Sequence, residues 1–456
     1  MKPFRQRFLF LRFVCVVCTV VMLVTTADAQ QSDRPNFVFI LADDLGYGDL
    51  SCYGHPVAKT PHLDGLARQG VRFTQHYSNG PECSPTRTAF LTGRYQQRAG
   101  GLECAIGTGN VGRYDEAIRL AGNRELGLPA EQTLIPGKLK DVGYACGVFG
   151  KWHLGYEPKF NPIEHRWDSF FGYLGGNVHY FNHRETSDLH VLFEGRLPVY
   201  REGYMSTMIT DESIAFIEQQ QGPFFLYVSH ECPHFPYQGP GDVNKVVTAA
   251  NWMELDAAAY VAMLENLDSE VGRILDTLDE RGMAGNTLVV FVSDNGGFEG
   301  AGNMGPLRGA KSSTFEGGIR VPMIARWPGR IKPNTTSDQV SVTFDLTKSF
   351  LRLARSDVPD QRLDGYDIIE HVTAGKKDFS RTLFWRGKRG DRVWSAVRDG
   401  DLKYVRKSEG DRQEKWLFDL SRDLGEVSDL RPKRPEEADR LRALLEAWEV
   451  DVEPIR

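Results

Sequence analysis

Four short runs of apolar residues, each followed by polar side chains, constrain the fold of this chain most. The runs are residues 36–42, 143–149, 223–229 and 287–293. Continuous apolar runs of this length are typical of strands that are buried on both faces of a parallel sheet. Residues 260–281 carry apolar side chains at helical spacing, and Gly282 ends that pattern. Helices and buried strands in alternation predict an α/β fold, with a large, mostly parallel or mixed sheet sandwiched by helices.

The polar residues after these strands predict where a ligand binds. In chain order they are Asp43 and Asp44, then Lys151 and His153, then residues 230–234, then Asp294 and Asn295. In open α/β sheets, ligands bind beyond the carboxyl ends of the strands. The sequence therefore predicts that these side chains meet at one edge of the sheet.

From about residue 346 the sequence changes to short segments separated by turns. The predicted strands here are residues 394–397, 401–405 and 416–420. A helix is predicted from Pro435 to about Glu449. We therefore expect a large domain over residues 30–345 and a small C-terminal α+β subdomain, with an antiparallel sheet and a terminal helix, over residues 346–456.

The first 29 residues have the pattern of a cleaved secretory signal peptide. Basic residues up to Arg12 precede an uncharged stretch over residues 13–26, and residues 27–29 provide an Ala-x-Ala cleavage site. A membrane anchor is the alternative, but the apolar stretch is short for a bilayer. No later segment has about eighteen consecutive apolar residues, so we expect no stable membrane span. The signal-peptide pattern predicts an exported protein, periplasmic or secreted.

The net charge argues against a nucleic-acid-binding protein, and the cysteine content argues against a fold built on disulfides. The net charge is −6, which argues against a nucleic-acid partner. Two of the seven cysteines, Cys15 and Cys18, lie in the predicted signal peptide. The odd number that remains is too small for a disulfide framework, so at least one cysteine is available for another role.

The sharpest local motif is Cys-Ser-Pro-Thr-Arg at residues 83–87, continued by Thr-Ala-Phe-Leu-Thr-Gly-Arg. By itself the motif is also compatible with a buried structural cysteine beside a proline turn. A cysteine phosphatase loop is disfavoured, because that loop has about five residues between its cysteine and arginine, whereas only three separate Cys83 from Arg87.

Together with other segments in the same order, this motif resembles the signatures of the formylglycine-dependent (type I) sulfatases, a branch of the alkaline phosphatase superfamily. The similar segments are residues 43–48, 83–94, 150–155, 293–296, 309–322 and 416–420. Among subgroups the sequence is most similar to the arylsulfatase A and N-acetylgalactosamine-6-sulfatase types. The resemblance implies an alkaline phosphatase-like fold in which residues 30–345 form the catalytic domain.

The resemblance also implies that Cys83 is the precursor of the nucleophile. In the family a separate formylglycine-generating, or sulfatase-maturating, enzyme oxidises this cysteine to Cα-formylglycine. The hydrated aldehyde carries two hydroxyls on one carbon, so one can attack sulfur and the other can expel sulfate from the covalent intermediate. A serine could perform only the first half of that reaction.

Four side chains at strand ends offer oxygen ligands to a cation. Asp43, Asp44, Asp294 and Asn295 suit Ca²⁺ or Mg²⁺ rather than zinc. The resemblance favours Ca²⁺ and adds Cys83, in its modified form, to the ligands. Helix capping and a plain turn are the alternative roles for the two pairs.

The resemblance assigns roles to the remaining cations and histidines, namely Arg87, Lys151, His153, His234 and Lys311. Arg87 would hold the hydrated aldehyde, the two lysines would bind sulfate oxygens, and His153 would act as the base for the hydrate. Of His230 and His234, only His234 aligns with the family pattern. His234, with Lys311, would protonate the leaving alcohol, whereas His230 is expected in the core.

These observations imply a sulfuric ester hydrolase that acts on a sulfated carbohydrate or an aryl sulfate. One alternative is a phosphomonoesterase, phosphodiesterase or phosphonate ester hydrolase of the same superfamily. The cysteine at position 83 argues against the first two, which usually have threonine or serine there. The second alternative is a non-catalytic protein that binds sulfated glycans, which would be favoured had a metal-binding or nucleophile residue been missing.

Overall fold

The computed structural model describes residues 34–100, 103–107, 122–129, 132, 134–359 and 363–452. The predicted signal peptide, residues 1–29, lies outside them. The strands are β1 (Asn36–Ala42), β2 (Val71–Phe73), β3 (His76–Tyr77), β4 (Ala145–Lys151), β5 (Ser169–Tyr173), β6 (Leu192–Glu194), β7 (Leu197–Pro198), β8 (Phe224–Ser229), β9 (Thr287–Ser293), β10 (Met323–Arg326), β11 (Thr335–Ser337), β12 (Ser341–Val342), β13 (Thr382–Arg389), β14 (Arg392–Asp399), β15 (Leu402–Glu409) and β16 (Arg412–Asp419). The α-helices are α1 (Pro61–Arg68), α2 (Cys83–Thr92), α3 (Ile135–Lys140), α4 (Met205–Gln219), α5 (Ala257–Glu280), α6 (Glu316–Ile319), α7 (Phe344–Leu353), α8 (Ile368–Thr373) and α9 (Pro435–Asp451). Short 3₁₀ helices lie at Ser51–Tyr53, Gln96–Ala99, Pro158–Phe160, Pro162–His165 and Ala284–Asn286.

The main sheet is mixed and has ten strands in the order β11-β2-β10-β9-β1-β8-β4-β5-β6-β7. Its centre is parallel, because β9, β1, β8, β4 and β5 run in one direction. Strand β10 pairs antiparallel with β9, and β6 pairs antiparallel with β5. The predicted large mixed sheet is confirmed.

Hydrophobic clusters cover both faces of this sheet. Along β1, Val38 and Ile40 belong to one cluster and Phe37 and Phe39 to the other. Since successive side chains of a strand point to opposite faces, a central strand needs a continuous apolar run. Helices α4 and α5 contribute to the first cluster, and α2, α3 and α7 contribute to the second.

The four predicted strands are found as β1, β4, β8 and β9. The predicted helix is α5, and it begins at Ala257, three residues before the apolar pattern suggested. Asp256 explains the earlier start, because its side chain accepts a hydrogen bond from the Ala259 amide at 3.0 Å and caps the first turn.

The C-terminal part has an antiparallel four-stranded sheet, β13-β14-β15-β16, and the helix α9. Leu441, Leu445 and Trp448 of α9 are buried in the hydrophobic cluster that includes this sheet. The predicted antiparallel sheet and terminal helix are therefore present, and β13 is an additional strand. The predicted division at residue 346 stays a prediction, although Leu346 and Phe350 of α7 pack in the same cluster as Phe37.

In the part of the chain that the structure describes, no helix combines the length and the apolar character needed to cross a membrane.

Candidate active site

Four neighbouring parallel strands end at the same edge of the sheet and bring their polar residues together. Asp43 and Asp44 follow β1, and Asp294 and Asn295 follow β9, while Lys151 is the last residue of β4. His234 lies in the loop after β8, and Cys83 opens helix α2 beside them. The structure thus places these predicted residues in one buried cluster.

Arg87 joins the helix of Cys83 to three strand ends. Its guanidinium donates to Asp294 Oδ2 at 2.8 and 3.2 Å, and to the carbonyl of Lys151 at 3.1 Å. It also donates to the hydroxyl of Ser229, the last residue of β8. Arg87 has no exposed surface, so these bonds fix the position of α2 against the strand ends.

Two lysines pair with the carboxylates that surround Cys83. Lys151 Nζ contacts Asp43 Oδ2, and Lys311 Nζ lies 2.6 Å from Asp44 Oδ1. Lys311 Nζ also lies 3.5 Å from Cys83 Sγ. Burial raises the pKa of Asp44, but Lys311, His234 and Lys151 outweigh it and lower that pKa to about 2. Asp44 is therefore ionised at any physiological pH.

The cluster fits a hard cation. One ligand atom from each of Asp43, Asp44, Cys83 and His234 lies within 4.8 Å of the others. Asn295 Nδ2 donates to Asp44 Oδ1 at 2.8 Å, whereas no described residue donates a hydrogen bond to the buried Asn295 Oδ1. A buried amide oxygen that accepts no hydrogen bond and lies beside carboxylates is available as a ligand to Ca²⁺ or Mg²⁺.

The Cys83 thiol is held in its neutral form. Its Sγ donates to Asp43 Oδ1 at 3.2 Å. Burial, together with the negative charges of Asp294 and Asp43, raises the pKa of Cys83 well above its ordinary value. The thiolate is the reactive form of cysteine, so the unmodified side chain is a poor nucleophile in this place.

His153 and His234 present unprotonated nitrogens. His153 Nε2 bonds to the carbonyl of Ile106, and its buried Nδ1 has no hydrogen-bond partner among the residues described. His234 Nδ1 bonds to the carbonyl of Phe235 at 2.7 Å, and its Nε2 lies 3.5 Å from Asp44 Oδ2. Burial, with Lys151 and Arg87, lowers the pKa of His153 well below its usual value. Burial likewise lowers the pKa of His234 to about 3, although Asp44 opposes the shift.

His230 lies outside this arrangement. It has no exposed surface, and neither ring nitrogen has a hydrogen-bond partner among the described residues. Burial lowers its pKa to about 4, so the ring is neutral. Of the two histidines in the segment after β8, only His234 faces the carboxylates.

Comparison with known proteins assigns this cluster to a family. The sulfatase family profile matches residues 35–356, and the profile of the C-terminal part of N-sulphoglucosamine sulphohydrolase matches residues 310–448. The chain belongs to the sulfatase family. It is an enzyme that hydrolyses sulfate esters, and its fold is the alkaline phosphatase-like fold of that family.

Relatives of this sulfatase match most of its length. Human N-acetylgalactosamine-6-sulfatase is 32% identical over 390 residues, which cover 80% of this chain and 70% of that protein. Human arylsulfatase A is 32% identical over 414 residues, covering 84% of this chain and 76% of that protein. The solved structure of Ps i-CgsB has a TM-score of 0.81 and 27% identity, covering 92% of this chain and 94% of that one. Ps i-CgsB has also been solved in complex with k-i-k-neocarrahexaose.

Some contacts of this sulfatase site were not predicted from the sequence motifs. Ser229 accepts from Arg87, and the Ile106 carbonyl holds His153. Ser84 lies inside the cysteine motif, but no role was predicted for it, and its hydroxyl donates to the carbonyl of His153 at 2.8 Å. A backbone carbonyl such as that of Ile106 gives no sequence signal, whereas Ser84 could have been suspected from its place beside Cys83.

Proposed function

We propose that this sulfatase hydrolyses its sulfate ester through a formylglycine at position 83. The observation that carries the proposal is the position of Cys83, which lies between the carboxylates of Asp43 and Asp44 and the ammonium group of Lys311, with its thiol held neutral. A buried neutral thiol is a weak nucleophile. Oxidation by a maturating enzyme to the aldehyde, followed by hydration, would supply two hydroxyls at the same place.

In the first half-reaction one hydroxyl of the hydrate attacks sulfur, and its proton passes to the surrounding carboxylates. The bond between sulfur and the alcohol oxygen breaks, and that oxygen takes a proton from Lys311 or His234. Burial lowers the pKa of Lys311, but the ion pair with Asp44 outweighs it and raises that pKa above the usual range, so Lys311 is charged. The anionic sulfate raises the pKa of His234 when it binds, which favours its protonation.

In the second half-reaction the other hydroxyl of the hydrate loses its proton to His153 Nδ1. The carbon–oxygen bond to the sulfate then breaks, sulfate leaves, the carbonyl re-forms, and water hydrates it again. The low pKa of His153 keeps Nδ1 free to accept the proton at neutral pH. Arg87 and Lys151 offset the negative charge of the bound sulfate.

We further propose that Ca²⁺ binds here, held by Asp43, Asp44, Asp294, Asn295 and the modified residue 83. When bound, the ion would polarise sulfate oxygens and the hydrate. The carboxylate oxygens of Asp43, Asp44 and Asp294, together with Asn295 Oδ1, which has no hydrogen-bond partner among the described residues, support this assignment. Mg²⁺ is the alternative cation.

For the substrate we propose a sulfated carbohydrate, with aryl sulfates as simple analogues. The names of two relatives, N-acetylgalactosamine-6-sulfatase and arylsulfatase A, support both classes. The neocarrahexaose bound to Ps i-CgsB supports a carbohydrate. We also propose that the protein is exported to the periplasm or secreted, on the basis of the pattern in its first 29 residues.

Paired assays of the holoenzyme with an aryl sulfate and the matching aryl phosphate test the reaction class. We expect kcat/KM to favour the sulfate by at least about a hundredfold, a difference of about 2.7 kcal/mol in transition-state stabilisation. A preference for the phosphate would instead support a phosphoester or phosphonate ester hydrolase. No turnover of either ester, with binding of sulfated glycans, would support the non-catalytic alternative.

A further inference from the structure

We propose that Ser84 is a positioning residue for the base His153. This inference rests on the proposed function, because it assumes that His153 takes the proton that drives sulfate out of the modified residue 83. Ser84 follows Cys83 in the first turn of α2 and has no exposed surface. Its hydroxyl is therefore available only to protein groups.

The Ser84 hydroxyl donates one hydrogen bond and accepts another, and the two partners lie in separate segments of the chain. Its Oγ donates to the carbonyl of His153 at 2.8 Å and accepts from the amide of Ile106 at 3.0 Å. The carbonyl of the same Ile106 bonds to His153 Nε2. One hydroxyl thus holds both the backbone of His153 and the residue that orients its ring.

The Ile106 carbonyl fixes the tautomer of His153. A carbonyl oxygen can only accept, so Nε2 carries the hydrogen and Nδ1 keeps its lone pair. The Nδ1 atom is buried and has no hydrogen-bond partner in the part of the chain that the structure describes. It is therefore the nitrogen that remains available as a base.

The residue on the other side of Cys83 holds the same segment. Glu82 Oε2 accepts from the Ala105 amide at 2.8 Å, so Glu82 and Ser84 bind two consecutive amides, those of Ala105 and Ile106. The two neighbours of the nucleophile precursor thereby hold the carbonyl that orients the base. Any shift of α2 would carry residue 83 and His153 together.

His153 has a backbone φ of 58°, in the left-handed region that residues other than glycine rarely adopt. Its backbone therefore depends on these contacts to stay in that conformation. The ring also lies close to Gly176, where an added Cβ would come within 2.7 Å of His153 Nε2. Without the Ser84 hydroxyl, the Ile106 amide is left buried without its partner and the carbonyl of His153 loses a donor. We expect the imidazole to lose its fixed orientation as a result.

The test compares Ser84→Ala with Thr86→Val as a matched control. Thr86 belongs to the same motif and helix and is equally buried, but its hydroxyl bonds to the backbone of Gly80 and not to His153. For each variant, mass spectrometry gives the fraction of residue 83 converted to formylglycine. Turnover of an aryl sulfate is then expressed per converted site.

For Ser84→Ala we expect kcat per converted site to fall about 10- to 100-fold and KM to fall with it, so that kcat/KM changes by less than about threefold, because only the step after covalent sulfation is slowed. Intact-mass spectrometry of enzyme quenched at steady state should show more covalently sulfated protein than in wild type, because expulsion is the step that needs His153. Thr86→Val should show neither change. If Ser84→Ala does not fold or is not converted, Ser84→Cys takes its place, with a smaller loss expected.

The inference is wrong if Ser84→Ala matches Thr86→Val in kcat per converted site and in sulfated fraction. A rise in KM alone would also contradict it, since that indicates a role in binding. Failure of the proposed function looks different. In that case fully converted wild-type enzyme would not turn over sulfate, or unconverted wild-type enzyme would be fully active.

Discussion

In the proposed mechanism, the side chain at position 83 decides whether the site can complete more than one cycle. We predict that Cys83→Ser accepts sulfate once and keeps it, because a serine ester has no second hydroxyl on the same carbon to expel sulfate. Intact-mass spectrometry after incubation with an aryl sulfate should show one added sulfate and no steady turnover. Cys83→Ala is the control and should take up none. Sustained turnover by Cys83→Ser would contradict the role of the hydrate.

We predict that Asp294 makes the binding of Ca²⁺ dependent on pH. Burial and the negative charge of Asp43 outweigh Arg87 and raise the pKa of Asp294 to about 6 in the ion-free site. A proton therefore competes with the cation below that pH, and the Kd for Ca²⁺ should rise by up to about tenfold per unit as the pH falls. Above pH 6 the Kd should level off.

Thermal-shift titrations with CaCl₂ at pH values on both sides of 6 measure this effect. Asp294→Asn cannot titrate, so it should bind Ca²⁺ more weakly and with a flatter pH dependence. An affinity for the wild-type protein that is the same at pH 5 and pH 7 would show that Asp294 is not protonated in the ion-free site.

At this scale the sequence predicted which side chains lie together better than it predicted their orientation. The motifs brought together Cys83, Arg87 and the strand-end carboxylates, because each motif lies at the end of an element. The choice between the two nitrogens of His153 depends on the Ile106 carbonyl, in a segment without any motif. When a backbone atom far along the chain sets the orientation of a side chain, no sequence pattern indicates that orientation.

At the scale of elements, a buried ionic network joins the C-terminal sheet to helix α6. Lys403 of β15 lies 2.8 Å from Glu316 of α6 and 2.9 Å from Glu426, and all three side chains are buried. Glu426 Oε2 also accepts from the Glu316 amide at 2.6 Å. Removing one partner of such a network leaves charge buried without compensation.

We predict that Lys403→Met lowers the free energy of unfolding by about 3–5 kcal/mol, because Glu316 and Glu426 lose their shared cation. Urea denaturation followed by circular dichroism measures the change. Arg442→Met on α9 is the control, since Arg442 forms exposed pairs with Glu446 and Asp439 and should cost less than about 0.5 kcal/mol. Equal losses for both variants would contradict an energetic role of the buried network.

The sequence predicted the long, fully buried strands well and the short or partly exposed strands poorly. Strands β1, β4, β8 and β9 are buried on both faces, so each is a continuous apolar run. Strand β13 alternates buried and half-buried residues and contains Arg386 and Lys388, which obscured its pattern. The antiparallel strand β10 has only four residues, Met323–Arg326, too few for periodicity to stand out.

At the scale of the whole molecule, the net negative charge of the chain makes the cationic side chains around residue 83 important. The chain carries a net charge of −6, so its average field repels an anionic ester. Arg87, Lys151 and Lys311 supply positive charge next to residue 83, where we propose that sulfate binds. The sequence alone predicted this contrast, but the pairing of each cation with a particular carboxylate emerged only from the fold.

The most direct test of the central claim measures conversion of Cys83 and activity in the same samples. Preparations made with different amounts of maturating enzyme are digested, and mass spectrometry gives the fraction of residue 83 present as formylglycine. We predict that aryl sulfate turnover rises in proportion to that fraction and vanishes when it is zero. Full turnover by protein in which Cys83 is entirely unmodified would contradict the formylglycine mechanism.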